Sequence, residues 1–129
     1  MVAYSFQAQF AEPILAGTKR QTIRPVGKRR HAKPGDTLQL YVGMRTKHCR
    51  LIATASCVSA LPIDMNLSTG DITIDGSFRR WSLNYFAQRD GFASWGELRE
   101  FWHKHHPGKL LFEGLLISWA AIGGETKKD

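Results

Sequence analysis

The chain has 129 residues, 43% of them hydrophobic and 22% charged, a composition and length that fit one domain whose core needs neither metal nor disulfide. No apolar run approaches the roughly 18 residues of a membrane-spanning helix, and residues 1–6 lack the charged and apolar blocks of a signal peptide, so the expectation is a cytoplasmic protein. Net charge is +7 and uneven: ten Lys or Arg lie between positions 19 and 50 against one acid, Asp36, which suits a polyanionic partner, nucleic acid ahead of a membrane surface, with a merely solvated face as the alternative.

Val2, Tyr4 and Phe6 alternate with smaller or polar residues and predict a first strand running towards Phe10. Residues 11–17 predict a short helix, with Pro13 in its first turn and Gly17 at the left-handed position after its end. Thr22, Ile23 and Arg24 then read as a strand stopped by Pro25. Alternation gives Thr22 and Arg24 one face and sends Ile23 to the core. Residues 27–33 are a basic loop, 34–36 a turn, and 37–42 a strand. Residues 49–58 are β-rich, with Leu51, Ile52 and Val58 as the expected core contacts. Cys49 and Cys57 lie about 26 Å apart if that strand is continuous, too far for a disulfide, so both are expected as thiols.

A short strand over 71–74 precedes a helix over 82–89. Ser94 and Glu97 form a capping box for a second helix, whose apolar stripe is Trp95, Leu98, Phe101 and Trp102. Pro107 and Gly108 stop it, residues 109–121 return as an apolar strand, and 123–129 read as a disordered tail. Many short strands and few helices predict a mainly β, α+β domain over 1–122, a small barrel flanked by short helices.

The candidate chemistry centres on Lys19, Thr22 and Arg24. A threonine attacks only once a base takes its proton. A lysine can be that base if burial and nearby positive charge draw its pKa down. Arg24, beside Thr22, suits a phosphate, a carbonyl oxygen or a developing oxyanion. The plainer alternative is that Lys19 and Arg24 bind phosphate and Thr22 is an ordinary strand residue. Lys28, Arg29, Arg30 and Lys33 make the best phosphate-binding loop. Trp81, after two arginines, reads as a base-stacking ring or as core, and Tyr41 as a cleft residue or a strand residue. His103, His105 and His106 lack the further partners of a zinc site, and no nucleotide-binding fingerprint occurs, so neither metal nor cofactor is expected.

The stretch from Gly17 through Lys19 to Arg24 resembles the G-x-K-x-x-x-x-R signature of the ASCH domain family. The likeness continues through Lys33-Pro34-Gly35-Asp36 and Arg89-Asp90-Gly91-Phe92, and covers about the first 120 residues. It implies a PUA-like β-barrel with helices at its ends and a partner that is single-stranded RNA or a modified pyrimidine nucleoside, without an obligate protein partner. One bacterial branch of the family hydrolyses the acetyl amide of N4-acetylcytidine with a Lys, a Thr and a carboxylate. By resemblance these fall on Lys19, Thr22 and Asp90, where that branch carries Glu. Gly17, Arg24, Tyr41 and Trp81 are then the expected substrate contacts. A surface ion pair with Arg89 is the other reading of Asp90. RNA binding without catalysis, or RNA cleavage in the same cleft, are the alternative functions.

Overall fold

The structure, a computed structural model, describes residues 1–79 and 82–120. Strand β1 (Val2–Phe6) turns Val2, Tyr4 and Phe6 inward. It ends short of Phe10, because a 3-10 turn (Ala8–Phe10) leads straight into helix α1 (Ala11–Ala16). Gly17 closes α1 at φ 85°, as its place in the sequence predicts. Strands β2 (Gln21–Arg24), β3 (Thr37–Val42) and β4 (Arg50–Asn66) follow. Then come β5 (Ile72–Ile74), β6 (Ser77–Arg79), helix α2 (Leu83–Arg89), helix α3 (Trp95–His105) and β7 (Leu111–Trp119).

Strand β4 runs past the predicted end of its segment and through Pro62. The proline is tolerated because its nitrogen faces the β5 side, where pairing has just ended at Ile63 and no donor is needed; its carbonyl, on the same side, takes the Asp75 N–H at 2.8 Å. The strand's length lets it serve two partners: its first half pairs with β3 and its second with β7 and β5. A register shift between Cys57 and Ser59 marks the change. This corrects the expected core contacts. Leu51 and Val58 are exposed and Ile52 is half-buried, whereas Cys57, Ile63 and Met65 are the buried residues of β4. Both cysteines are free thiols.

The ladder runs β1–β3–β4–β7–β2, with β1 and β3 parallel and the other pairs antiparallel. Strands β1 and β2 are thereby left as edges, and no ladder joins them among the described residues. A side chain ties them instead: Arg24 Nη2, on β2, donates to the Ser5 carbonyl of β1 at 2.8 Å. This seam is the opening of the barrel. Helices α2 and α3 are each capped by a serine, Ser82 and Ser94, whose side-chain oxygens accept from the third helical N–H. Leu98 and Trp102 of α3 are buried in the common core with Phe86 and Trp119. Among the described residues no helix is long and apolar enough to cross a membrane. The tail expected over 123–129 lies outside the described residues.

Strand β7 packs so closely under the end of β2 that only a glycine fits at position 114. A Cβ there would stand 2.3 Å from the Arg24 carbonyl and 2.7 Å from the Phe112 ring. Gly114→Ala is expected to destabilise the fold by about 2 kcal/mol, read as a lower denaturant midpoint at unchanged slope. An unchanged midpoint would contradict this packing of β2 on β7.

Candidate functional site in the barrel seam

Three backbone contacts set the site. The Lys19 N–H donates to the Pro13 carbonyl at 3.0 Å, fixing the turn after α1. Arg20 N–H donates to the Arg89 carbonyl at 2.9 Å, and Trp119 N–H donates to the Arg20 carbonyl at 3.0 Å. Residues 19–21 are thus held between the end of α2 and the end of β7. Helix α2 stops in a Schellman turn, in which Phe92 N–H reaches the Ala87 carbonyl at 2.9 Å and Gly91 N–H the Gln88 carbonyl at 3.0 Å. Gly91 takes φ 99°, and a Cβ on it would press on Lys19 Cδ at 2.8 Å.

This turn presents Asp90 to Lys19. Lys19 Nζ donates to the Asp90 carbonyl at 2.5 Å and stands 3.8 Å from its carboxylate Oδ1. An ammonium at the carbonyl end of a helix is favoured by the helix dipole. The Asp90 carboxylate also accepts from Gln21 Nε2 at 3.3 Å. Its partners are therefore Lys19 and Gln21, and the surface pair with Arg89 is not what forms. Lys19 and Asp90 are 3% and 5% exposed. Burial is the leading influence on both: it draws the Lys19 ammonium down from its ordinary 10.5 to about 8, against Asp90 and with help from Arg24, and it pushes the Asp90 carboxyl up.

Strand β2 brings the other two groups. Thr22 is buried and Arg24 half-buried, and Arg24 Nε donates to Thr22 Oγ1 at 2.9 Å. That bond occupies an oxygen lone pair and leaves the hydroxyl proton to be given elsewhere. Ile23 is buried, as alternation predicts, but so are Gln21 and Thr22, because both faces of β2 are covered. Burial lowers the Arg24 pKa to about 10, with Arg29 adding to the effect.

Lys19, Thr22, Arg24 and Asp90 all line one cleft of about 310 Å³ in the seam, with Ser5, Phe6 and Gln7 from β1 and its turn. The facing wall is aromatic. Phe10, Phe92 and Phe101 pack with centroids 5.3 to 5.5 Å apart, and Lys19 Nζ sits 4.7 Å from the Phe10 centroid. His105 and His106, at the end of α3, line the same cleft. A hollow of this volume is at the small end of ligand sites.

Other expected site residues fall elsewhere. Tyr41 is half-buried in β3, opposite Ser5, and does not line the cleft; the register shift after Leu40 sets its course. Gly17 shapes the turn and does not line the cleft. Trp81 lies outside the described residues. In the basic loop Lys28, Arg29, Arg30 and Lys33 are exposed. Arg30 is engaged by Asp36 at 3.0 Å, and the same carboxylate accepts the Lys33 N–H at 2.9 Å. Sequence reasoning missed Gln21 and the aromatic wall, and it placed Phe101 and Trp102 in the core stripe alone. Among the described residues no three His, Cys, Asp or Glu side chains gather as metal ligands.

No protein-family model and no curated protein matches the sequence. The structure, however, is similar to that of a mutant of ZmASCH from Zymomonas mobilis, with a TM-score of 0.52 over 92% of this chain and 67% of that one, at 14% identity. This chain has the ASCH fold. The fold is thus the barrel with flanking helices that the Gly17, Lys19, Arg24 signature implies, and the signature residues lie on the turn and strand that border the open seam.

The Lys19 amine should titrate near pH 8, followed by side-chain nitrogen NMR. Arg24→Gln removes a like charge and should raise the midpoint; Asp90→Asn removes an opposite one and should lower it. A midpoint near the ordinary 10.5 would mean that the amine is not desolvated.

Proposed function

We propose that this ASCH domain is an amidohydrolase acting on N4-acetylcytidine, with Thr22 as nucleophile and Lys19 as its base. What supports the reading is the burial of an amine, a hydroxyl and a carboxyl group in one cleft beside a guanidinium. With a pKa of about 8, roughly a tenth of Lys19 is neutral at pH 7. Neutral Lys19 takes the Thr22 proton, and the hydroxyl oxygen attacks the acetyl carbonyl carbon. Arg24 faces the oxyanion that forms. The C–N bond then breaks, and the leaving amine takes the proton back from Lys19, releasing cytidine. Water, deprotonated by Lys19, splits the acetyl ester on Thr22; acetate leaves and the hydroxyl is restored. Asp90 holds the ammonium in place through both halves. The aromatic wall excludes water and offers faces for a pyrimidine.

A second reading has one observation in its favour. His105 and His106 share the cleft with Lys19, which would give RNA cleavage a base for the ribose 2′-hydroxyl and an acid for the leaving 5′-oxygen. Incubating the protein with N4-acetylcytidine and with single-stranded RNA separates the two. The first reading expects cytidine and acetate, with kcat/KM rising with pH through about 8. Thr22→Ala and Lys19→Ala should each lower it by about a thousandfold, with the fold intact by circular dichroism. Intact acetylcytidine beside shortened RNA would favour the second reading. Turnover indifferent to Thr22→Ala would end the assignment of the nucleophile.

A further inference from the structure

The free edge of β1 carries a pair of arginines of which amide hydrolysis uses only Arg24. Its outward carbonyls at Ala3 and Ser5 are two residues apart, so they leave the strand on the same side. Each is taken by an arginine: Ser5 by Arg24 at 2.8 Å, Ala3 by Arg29. Both guanidiniums also lie against one ring, that of Tyr4, with Cζ atoms 5.0 and 4.6 Å from its centroid. Tyr4 is a rigid platform. It is fully buried, and its hydroxyl is fixed by His31 Nδ1 at 2.9 Å and by the Ala32 N–H at 3.2 Å. His31 in turn reaches the Pro25 carbonyl at 3.0 Å, which pins the basic loop over the platform.

Two like charges are thus held side by side, close enough that Arg29 disfavours the charge on Arg24. Neither has a carboxylate partner: among the described residues the ion pairs are Lys19 with Asp90 and Arg30 with Asp36. A guanidinium offers five N–H groups, and these contacts use two on Arg24 and one on Arg29. Paired forks with N–H groups to spare and no carboxylate in salt-bridge contact suit an anion that accepts several charge-assisted bonds at once. Arg24 lines the cleft; Arg29 is exposed and outside its lining, and meets Arg24 across the Tyr4 ring.

We propose that Arg24 and Arg29, braced on Tyr4, form a phosphate clamp at the mouth of the cleft, so that the ligand is a phosphorylated pyrimidine nucleoside and not a bare one. The proposal builds on the nucleoside reading of the cleft and adds the group attached to the sugar. The phosphate can belong to a free nucleotide or to an RNA strand. Bound there, it would relieve the repulsion between the two guanidiniums and fix the sugar, while the base enters between the aromatic wall and Lys19.

The test has a binding arm and a turnover arm. Calorimetry compares cytidine with its 3′- and 5′-monophosphates and with a short cytidine oligoribonucleotide, on the native protein, Arg29→Met and Arg29→Lys. Arg29 is exposed, so these variants should fold, which thermal melts check. The native protein should bind a phosphorylated form at least about tenfold more tightly than cytidine; Arg29→Met should abolish the preference, and Arg29→Lys keep part of it. Preference for a monophosphate assigns the site to free nucleotides, and preference for the oligoribonucleotide alone assigns it to RNA. Equal binding of cytidine and all phosphorylated forms, or a preference untouched by Arg29→Met, overturns the clamp. Turnover of the N4-acetylated forms keeps the two claims apart. Hydrolysis without phosphate preference leaves the amidohydrolase and removes the clamp; Arg29-dependent phosphate binding without hydrolysis does the reverse.

Discussion

An ammonium group buried against the carbonyl end of a helix is the contact on which the site depends. Lys19 Nζ takes the Asp90 carbonyl and stands near its carboxylate. Without the Asp90 carboxylate the buried amine would keep only the backbone carbonyl and would shift further towards its neutral form. The contact fixes the distance between the turn after α1 and the end of α2, two segments far apart in sequence. It also keeps the ammonium where desolvation brings its proton close to leaving at neutral pH.

The second constraint is the unclosed barrel. A fully laddered barrel would spend the edge groups of β1 and β2 on each other and leave no room between them. Here Arg24 spans the gap by side chain, bonding Ser5 on one strand and Thr22 on its own. A side-chain tie holds the seam at a width that backbone pairing would not permit. The cleft between the two strands follows from that spacing.

Much of this was legible from residues close in sequence. Gly17 announces the turn, and Thr22 and Arg24 announce a shared face, because left-handed backbone and strand alternation are local properties. The Ser94 cap of α3 is local in the same sense. Asp90 became visible only through family resemblance, since nothing near it signals that a lysine 71 positions away will meet it. Gln21 was hidden because a strand covered on both faces shows no alternation of burial. The aromatic wall was half seen: the stripe on α3 was read as core, and it serves core and cleft together, a distinction set by tertiary packing. Leu51 and Val58 looked buried by composition, but each sits at a register shift of β4 and is exposed.

The central claim is that a pyrimidine base occupies the seam with its acyl group over Thr22. The crystal structure of Thr22→Ala with N4-acetylcytidine bound tests it most directly. The account predicts the base against Phe10 and Phe92, the acetyl carbon within about 3.5 Å of where the Thr22 hydroxyl stood, and the carbonyl oxygen towards Arg24. A ligand seated outside the seam, or one whose acyl group points away from residue 22 and Lys19, would contradict it.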